Sequence, residues 1–570
     1  MRHALLASLI VPLSSLVLAV GPVAADDEVE LKRIHSAITE AIAEPIGGLG
    51  GAKIELANPV SAVWRDGRVI VSIKGAKLLM PSDAQIGIGD VEIAVVPKGD
   101  GLYDFDVMMP KSFPVIGDSP ADKGTITLSN YKLKGTWSRE VESIVNLDAM
   151  LDDLVITNEP TRPSEQFRVS IDDAVANSNY TKGGDGLWSG TVNGKVGAVS
   201  VMAPEGEGDL HLGGMEASAV TQGSDWTALA KAMNRMEEVM KPGAPPMTDA
   251  LRQELAALFG GINWGDNEGT FSVKGIAFTQ GGHKLFSLDD TTWKFLFKAA
   301  QEAGTLGLRL SFDGIKIEEQ FLPPNLTPTK GALDITLEKF PVRQFFASMF
   351  MQATESGAYA PAIEPPPAPP PAESVPPSPE TVEPSAGNPA APREPTQVAE
   401  ADTAPSASEM IGADANASEP SPPSDAPPAE PPPMASEPPM MGPFRADDPF
   451  LQKIFEMASV FVLNEFSVGA ASAGISADGR LMVDPEAEAM GTGKLQAKLR
   501  GIDAVLEFVN QMASGGDEDM KGLGAFLIFL KGLGRAENVG GETVYVYDID
   551  VPKQGAPTVN GTSLDNMDFD

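Results

Sequence analysis

Gly269-Thr270-Phe271-Ser272-Val273-Lys274-Gly275-Ile276 alternates apolar and polar side chains between glycines. Period-two alternation is the pattern of a β-strand with one buried face. The same pattern occurs upstream as Gly124-Thr125-Ile126-Thr127-Leu128-Ser129-Asn130-Tyr131 and as Gly208-Asp209-Leu210-His211-Leu212-Gly213-Gly214-Met215. Looser copies follow at Gly331-Ala332-Leu333-Asp334-Ile335-Thr336-Leu337 and at Gly493-Lys494-Leu495, which runs on to Leu499 and Gly501-Ile502.

Apolar residues at helical spacing follow the last four copies. One helix is expected from Asp225, with Trp226, Leu229, Met233, Met236 and Met240 on one face. A second is expected near Asp290 with Trp293, Leu296 and Phe297. A third opens at Pro341 and carries Val342, Phe345, Phe346 and Met349. A fourth carries Ile502, Val505, Leu506 and Val509. The methionines at 233–240 suit core packing better than a soft ligand-binding face.

The first part of the chain is also β-rich. Ala62 to Arg65 and Val69 to Ile73 flank Asp66-Gly67, a hairpin signal. Leu102 to Val107 alternates, and a helix with Leu31, Ile34 and Ile38 precedes these strands. Near the other end, Thr543 to Val551 alternates and Asn560-Gly561 marks a turn. Tight turns between strands imply antiparallel pairing. The fold class read from these patterns is α+β: an extended antiparallel β-sheet array built from repeated strand–helix units.

Residues 355–448 interrupt the array. This span holds 26 of the chain's 49 prolines, 16 acidic residues and 2 basic ones, and Ala360 to Pro443 lacks Phe, Trp and Tyr. Such a segment buries too little apolar surface to offset its ordering entropy, so a disordered acidic linker is expected. The glycines leading the five copies stand at 124, 208, 269, 331 and 493. The last two gaps are 62 and 162, and removing the 94-residue span from the larger leaves 68. The span therefore reads as an insertion into an array. The expected organisation is a leader over 1–25, a β-rich repeat region over 26–354, the Pro-rich linker over 355–448, and a C-terminal β/α region over 449–570 that packs on the array.

The leader reading rests on Arg2 and His3, the apolar run Ala4 to Val20, and small residues Val23-Ala24-Ala25 before Asp26-Asp27. It predicts export to a periplasm with cleavage near Ala25. No later stretch reaches the roughly 18 apolar residues a membrane span needs, so no transmembrane segment is expected in the mature protein.

Charge and composition narrow the function. The chain of 570 residues has 42 Lys+Arg, 79 Asp+Glu, a formal charge of −37 and no cysteine. Setting aside the +1 leader and the −14 insertion, −24 remains on the folded blocks. An acidic chain without basic clusters argues against nucleic acid as a partner. Zero cysteine excludes disulfides, thiolate metal sites and Cys nucleophiles. His35, His211 and His283 are too widely spaced for a zinc motif, so no metal or cofactor is expected. Gly47 to Gly51 follows a helix rather than a strand, which suits a connection and not a phosphate cradle. The acidic pairs Asp152-Asp153, Asp172-Asp173 and Asp289-Asp290, with Asp517-Glu518-Asp519 and the cluster Asp565 to Asp570, show no calcium-loop order. Asp225 and Asp290 also fall where helix N-caps belong. No catalytic, cofactor-binding or metal-ligating residue is assigned.

Over 450–564 the chain resembles an uncharacterised family of exported alphaproteobacterial proteins, a domain of unknown function. The residues that carry the likeness are a strand Phe466 to Ser476 with Asp478-Gly479 as its turn, Gly493-Lys494-Leu495, helices at 502–512 and 520–533, and Val559-Asn560-Gly561. The resemblance implies no activity. The expected function is that of a non-enzymatic envelope protein with an apolar groove for lipid or a protein partner. A periplasmic hydrolase using a carboxylate pair and a spacer or scaffold acting through the linker are the alternatives.

Overall fold

The structure is a computed structural model. It describes residues 27–564 except 356–448 and the short stretches 44–51, 81–83, 118–122, 160–161, 163–164, 205–207, 241–246, 300–302, 319–321 and 515–517. The leader, most of the Pro-rich span, Gly47 to Gly51, Asp517 and Asp565 to Asp570 lie outside the described residues.

Alternation does what the pattern predicts. Among the described residues, 26 strands form one sheet in which every pairing is antiparallel. The long strands follow one another in chain order as a meander. Strand 266–280 pairs with 214–224 on one side and 283–298 on the other, and 304–313 and 330–340 come next. Strand 330–340 then pairs directly with 460–469, so the residues on either side of the insertion continue the same sheet. Strands 474–483, 491–500 and 542–551 complete that end. Hairpin turns sit where left-handed backbone is needed: Asp66 and Gly67 have φ of 52° and 75°, and Asn560 and Gly561 have 51° and 80°.

The register lines up the apolar positions. Leu133 stands opposite Ala149, and from there the directly paired residues run Ala176, Gly194, Ala217, Phe271, Trp293, Leu310, Leu333, Phe466, Ala477, Ala497 and Tyr547. Two further rows flank this one, with Phe105 to Ile549 on one side and Tyr131 to Tyr545 on the other. A slip of one residue would turn such a row to the opposite face. Where a residue is inserted at Asn464, a bulge absorbs it. Asn464 Nδ2 donates to Asp334 Oδ1 and Thr336 Oγ1, both at 2.9 Å, while Leu463 and Phe466 stay in their rows.

The opposite face is polar. Lys134, Asp148, Asn177, Asn193, Ser218, Thr270, Lys294, Arg309 and Asp334 are paired in sequence there. Ion pairs lace it: Lys134–Asp106 at 2.7 Å, Arg309 to Asp334 and to Glu465 at 3.4 Å, and Arg535–Asp548 at 2.7 Å.

Seven described helices pack around the apolar rows: α1 (27–43), α2 (226–240), α3 (249–261), α4 (342–355), α5 (449–456), α6 (502–513) and α7 (518–533). Helix α1 places Ile34 and Ile38 in one cluster with Val69, Val71, Ile93, Phe105 and Trp137. Helices α6 and α7 cover the last strands through Ile502, Leu506 and Leu530 against Tyr545 and Tyr547. Helices α2 to α5 line one margin. Leu229 and Met236 pack on Leu255 and Phe259, whereas Met233 is exposed. Phe345 and Phe450 stack edge-on at 5.3 Å beside Phe297, Leu306 and Leu337.

Two expectations are corrected. Residues 283–298 form a strand and not a helix at Asp290. Trp293, Phe295 and Phe297 alternate, Leu296 lies over Gly307 on the reverse face, and the β-branched Thr291 and Thr292 favour a pleated backbone. Asp478-Gly479 is not a turn but the middle of strand 474–483. Asp478 sits in the polar row opposite Gln496, and a Cβ at Gly479 would come within 2.6 Å of Leu495 Cα. The turn is at Ala470 to Ala473, closed by Ala470 N–H donating to Ala473 O at 2.8 Å. The five glycine-led copies lie in or directly before strands, but Gly269, Gly331 and Gly493 stand in different rows of the sheet.

Candidate functional site

The middle of the apolar face is uncovered. Val192, Trp293, Phe295, Leu308 and Phe461 are 36–49% exposed, whereas toward the ends of the rows Phe105 and Tyr547 are buried and Leu133 and Ile549 half-buried. Side chains in a strand stand roughly perpendicular to the sheet, so these residues share one exposed apolar strip, the trough. Their positions are set by cross-strand packing. The rings of Phe271 and Trp293 lie 5.3 Å apart, tilted by 42°.

Next to these aromatics the floor drops. Ala149, Ala174, Ala176, Gly194 and Ala217 bring small side chains together on four adjacent strands, bounded by Leu151, Val196, Met215 and Phe271. The depression has a volume of about 210 Å³. Gly194 leaves the space above the backbone open. A Cβ built there would meet only Ala217 Cβ at 3.9 Å and Val175 O at 4.0 Å. Two other glycines of the sheet are roofed by a cross-strand neighbour: Gly135 by Phe105 and Gly331 by Phe312.

Electrostatics leave the trough neutral. The three central rows, from Phe105 and Tyr131 to Ile549 and Tyr545, contain no charged side chain, and Ser178 and Thr291 are their hydroxyl-bearing aliphatic members. Thr291 Oγ1 is occupied in donating to Ser311 O at 3.1 Å. Perturbed groups lie at the closed ends and margins. Burial pushes the Tyr103 phenol up, aided by the negative charge of Glu30, where Arg33 bonds both side chains. Burial likewise raises the Tyr547 phenol, whose O–H donates to Leu530 O at 2.9 Å. The Lys182 ammonium bonded to Glu140 lowers that carboxyl, and Thr227 Oγ1 donates to it at 2.9 Å.

The residues considered in the sequence are dispersed. His35 Nε2, on helix α1, contacts Val60 O at 2.9 Å, and His211 Nδ1, on strand 209–212, contacts Ser200 Oγ at 3.1 Å. Asp152 is registered against Asp173 on the polar face, and Asp173 pairs with Lys195 at 3.4 Å. Asp289 pairs with Lys316 at 3.3 Å, and Asp290 stands opposite Lys274 and Asp313. Asp225 Oδ1 accepts from Ala228 N–H at 2.9 Å and caps α2, while Asp290 lies in a strand and caps nothing. No group of three His, Asp or Glu side chains able to hold a metal occurs among the described residues. No helix of the described residues is long and apolar enough to cross a membrane.

Trp293 and Phe295 are the most exposed aromatics of the trough, and helical spacing hides their shared face in the sequence. Their signal was the alternation 293-295-297. No protein-family model, no curated protein and no solved structure matches the chain.

Proposed function

We propose that the protein is a non-enzymatic lipid-binding protein of the bacterial envelope, which holds acyl chains along the open part of its apolar face. One observation carries this reading: rows of directly paired apolar residues continue without a charge across the whole sheet, and their middle section, around Trp293 and Phe295, is exposed. Contiguous exposed apolar surface on a folded protein marks an interaction site, and the uncharged depression beside Phe271 favours hydrocarbon as its occupant. Export through the N-terminal leader to the periplasm, membership of the exported alphaproteobacterial family and a repeated-unit origin of the sheet belong to the same proposal. The leader would bring the chain to a compartment bounded by lipid. The rows run from one covered end to the other, which suits an extended chain.

The test uses the purified full chain, an apolar fluorescent probe and organic extraction of the protein as isolated. Saturable probe binding, displacement by phospholipid and lipid in the extract are expected. Phe295→Asp should weaken the probe at least tenfold while leaving the unfolding midpoint nearly unchanged, because Phe295 is half-exposed. A probe that finds no saturable site, or one that binds the wild type and Phe295→Asp chains equally well, would end this reading.

A further inference from the structure

We infer that the trough reads the hydrocarbon chain of its ligand and is blind to the head group, with the chain seated in the depression at Gly194. This rests on the lipid-binding reading and specifies it. The trough offers nothing to a polar head. Its three central rows carry no charge. Lys195, paired with Asp173, and Lys274, paired with Glu216, stand on the reverse face, while Lys182 and Asp289, which alternate with the apolar positions, are held at the margins by Glu140 and Lys316. A charged or strongly hydrogen-bonding head taken into such a surface would lose hydration with no partner in return. The head therefore stays in water at the open side.

The seat has the size of a chain. An enclosed apolar cavity of about 150 Å³ takes up a small hydrocarbon, and the depression at Gly194, which is open on one side and almost wholly apolar, measures about 210 Å³. Its floor of Ala149, Ala176, Gly194 and Ala217 lets a methylene chain approach the backbone, and Phe271 closes it toward Trp293. A space of this volume admits one segment of alkyl chain, and the shallow aromatic floor beyond it carries the continuation.

The experiment displaces the apolar probe from the full chain with single-chain amphiphiles below their micelle concentrations. Chains of roughly eight to twelve carbons carry a carboxylate, a phosphocholine, a maltoside or a trimethylammonium head, so that length and head vary separately. Salt at about 0.5 M screens the long-range field of this acidic protein, which would otherwise favour cations. At fixed length the four heads should bind within about threefold of one another, and each added methylene should tighten binding by about fourfold. Gly194→Leu tests the seat. Its Cβ fits without a clash, so the unfolding midpoint should hold while the longest amphiphile of each head class loses at least tenfold. Heads that differ tenfold or more at one length, affinity that is flat with length, or a Gly194→Leu chain that binds as wild type would each overturn the inference and leave lipid binding standing. If no amphiphile displaces a saturably bound probe, the lipid-binding reading itself falls, and this inference with it.

Discussion

Phe105 and Phe295 stand in the same row of the sheet, and each is paired with a glycine, Gly135 and Gly269. The two sites differ in what lies above them. Phe105 is 4% exposed, belongs to the cluster that α1 closes, and folds over Gly135 so closely that a Cβ there would come within 2.7 Å of its ring. Phe295 is 44% exposed, and a Cβ on Gly269 would meet only Ser218 O at 3.6 Å. The same pairing thus serves as core at one end and as surface in the middle. Coverage by helices, and not the strands themselves, separates the part of the face that stabilises from the part that is free to bind.

The largest expected effect tests that separation directly. Phe105→Ala removes a buried ring and should cost about 3–5 kcal/mol. Phe295→Ala removes a half-exposed one and should cost about 1 kcal/mol or less. Urea unfolding of both variants decides: equal losses would show that Phe295 is covered in solution and that the middle of the face is core.

The glycines give a smaller contrast. Gly135→Ala pushes a methyl against Phe105 and to within 2.4 Å of Asn146 O, which should cost about 1–3 kcal/mol through overpacking. Gly269→Ala meets ordinary van der Waals space and should be neutral within about 0.5 kcal/mol. A neutral Gly135→Ala would mean that Phe105 does not fold over it.

Alkali should also distinguish the covered ends from the middle. The buried phenols of Tyr103 and Tyr547 are pushed above their ordinary value, and both lie under end helices. An unfolded tyrosine ionises near about 10. Stability contributed by the neutral phenol is therefore fully present below that pH and is lost as pH rises through the raised native value. Unfolding measured from about pH 9 to 11 should show a loss that Tyr103→Phe reduces. An identical pH slope in wild type and Tyr103→Phe would remove Tyr103 from the account.

Much of this fold is legible in the amino-acid order, and the trough much less so. The alternation at 269–273 and 331–337, the turns at Asp66-Gly67 and Asn560-Gly561, and the helices at 226–240, 342–355 and 502–513 follow from local pattern. Trp293, Leu296 and Phe297 misled, because they satisfy helical spacing while Phe295 also satisfies strand spacing. Only pairing with 266–280 and 304–313 decides between them. Asp478-Gly479 has the chemistry of a turn, yet the glycine is required because Leu495 crosses it. Whether an alternating strand is core or open surface depends on residues far away in sequence, since α1 covers Phe105 and nothing described covers Phe295. That information is tertiary, and no window of the sequence contains it.

A small and salt-dependent effect belongs to the face that has no such division. Arg309 reaches Asp334 and Glu465 at 3.4 Å each, with nearly half of its side chain exposed. It ties the strand before the insertion to the first long strand after it. Exposed ion pairs contribute about 0.2–1 kcal/mol and fade as salt screens them. Arg309→Gln should therefore lower stability by less than about 1 kcal/mol at low salt and by almost nothing at about 1 M salt. Because the apolar rows hold strands 330–340 and 460–469 together from the other side, through Leu333–Phe466 and Ile335–Leu463, unfolding should stay a single transition. A larger loss that persists at high salt would mean that the polar face, and not the apolar rows, joins the two blocks of sequence.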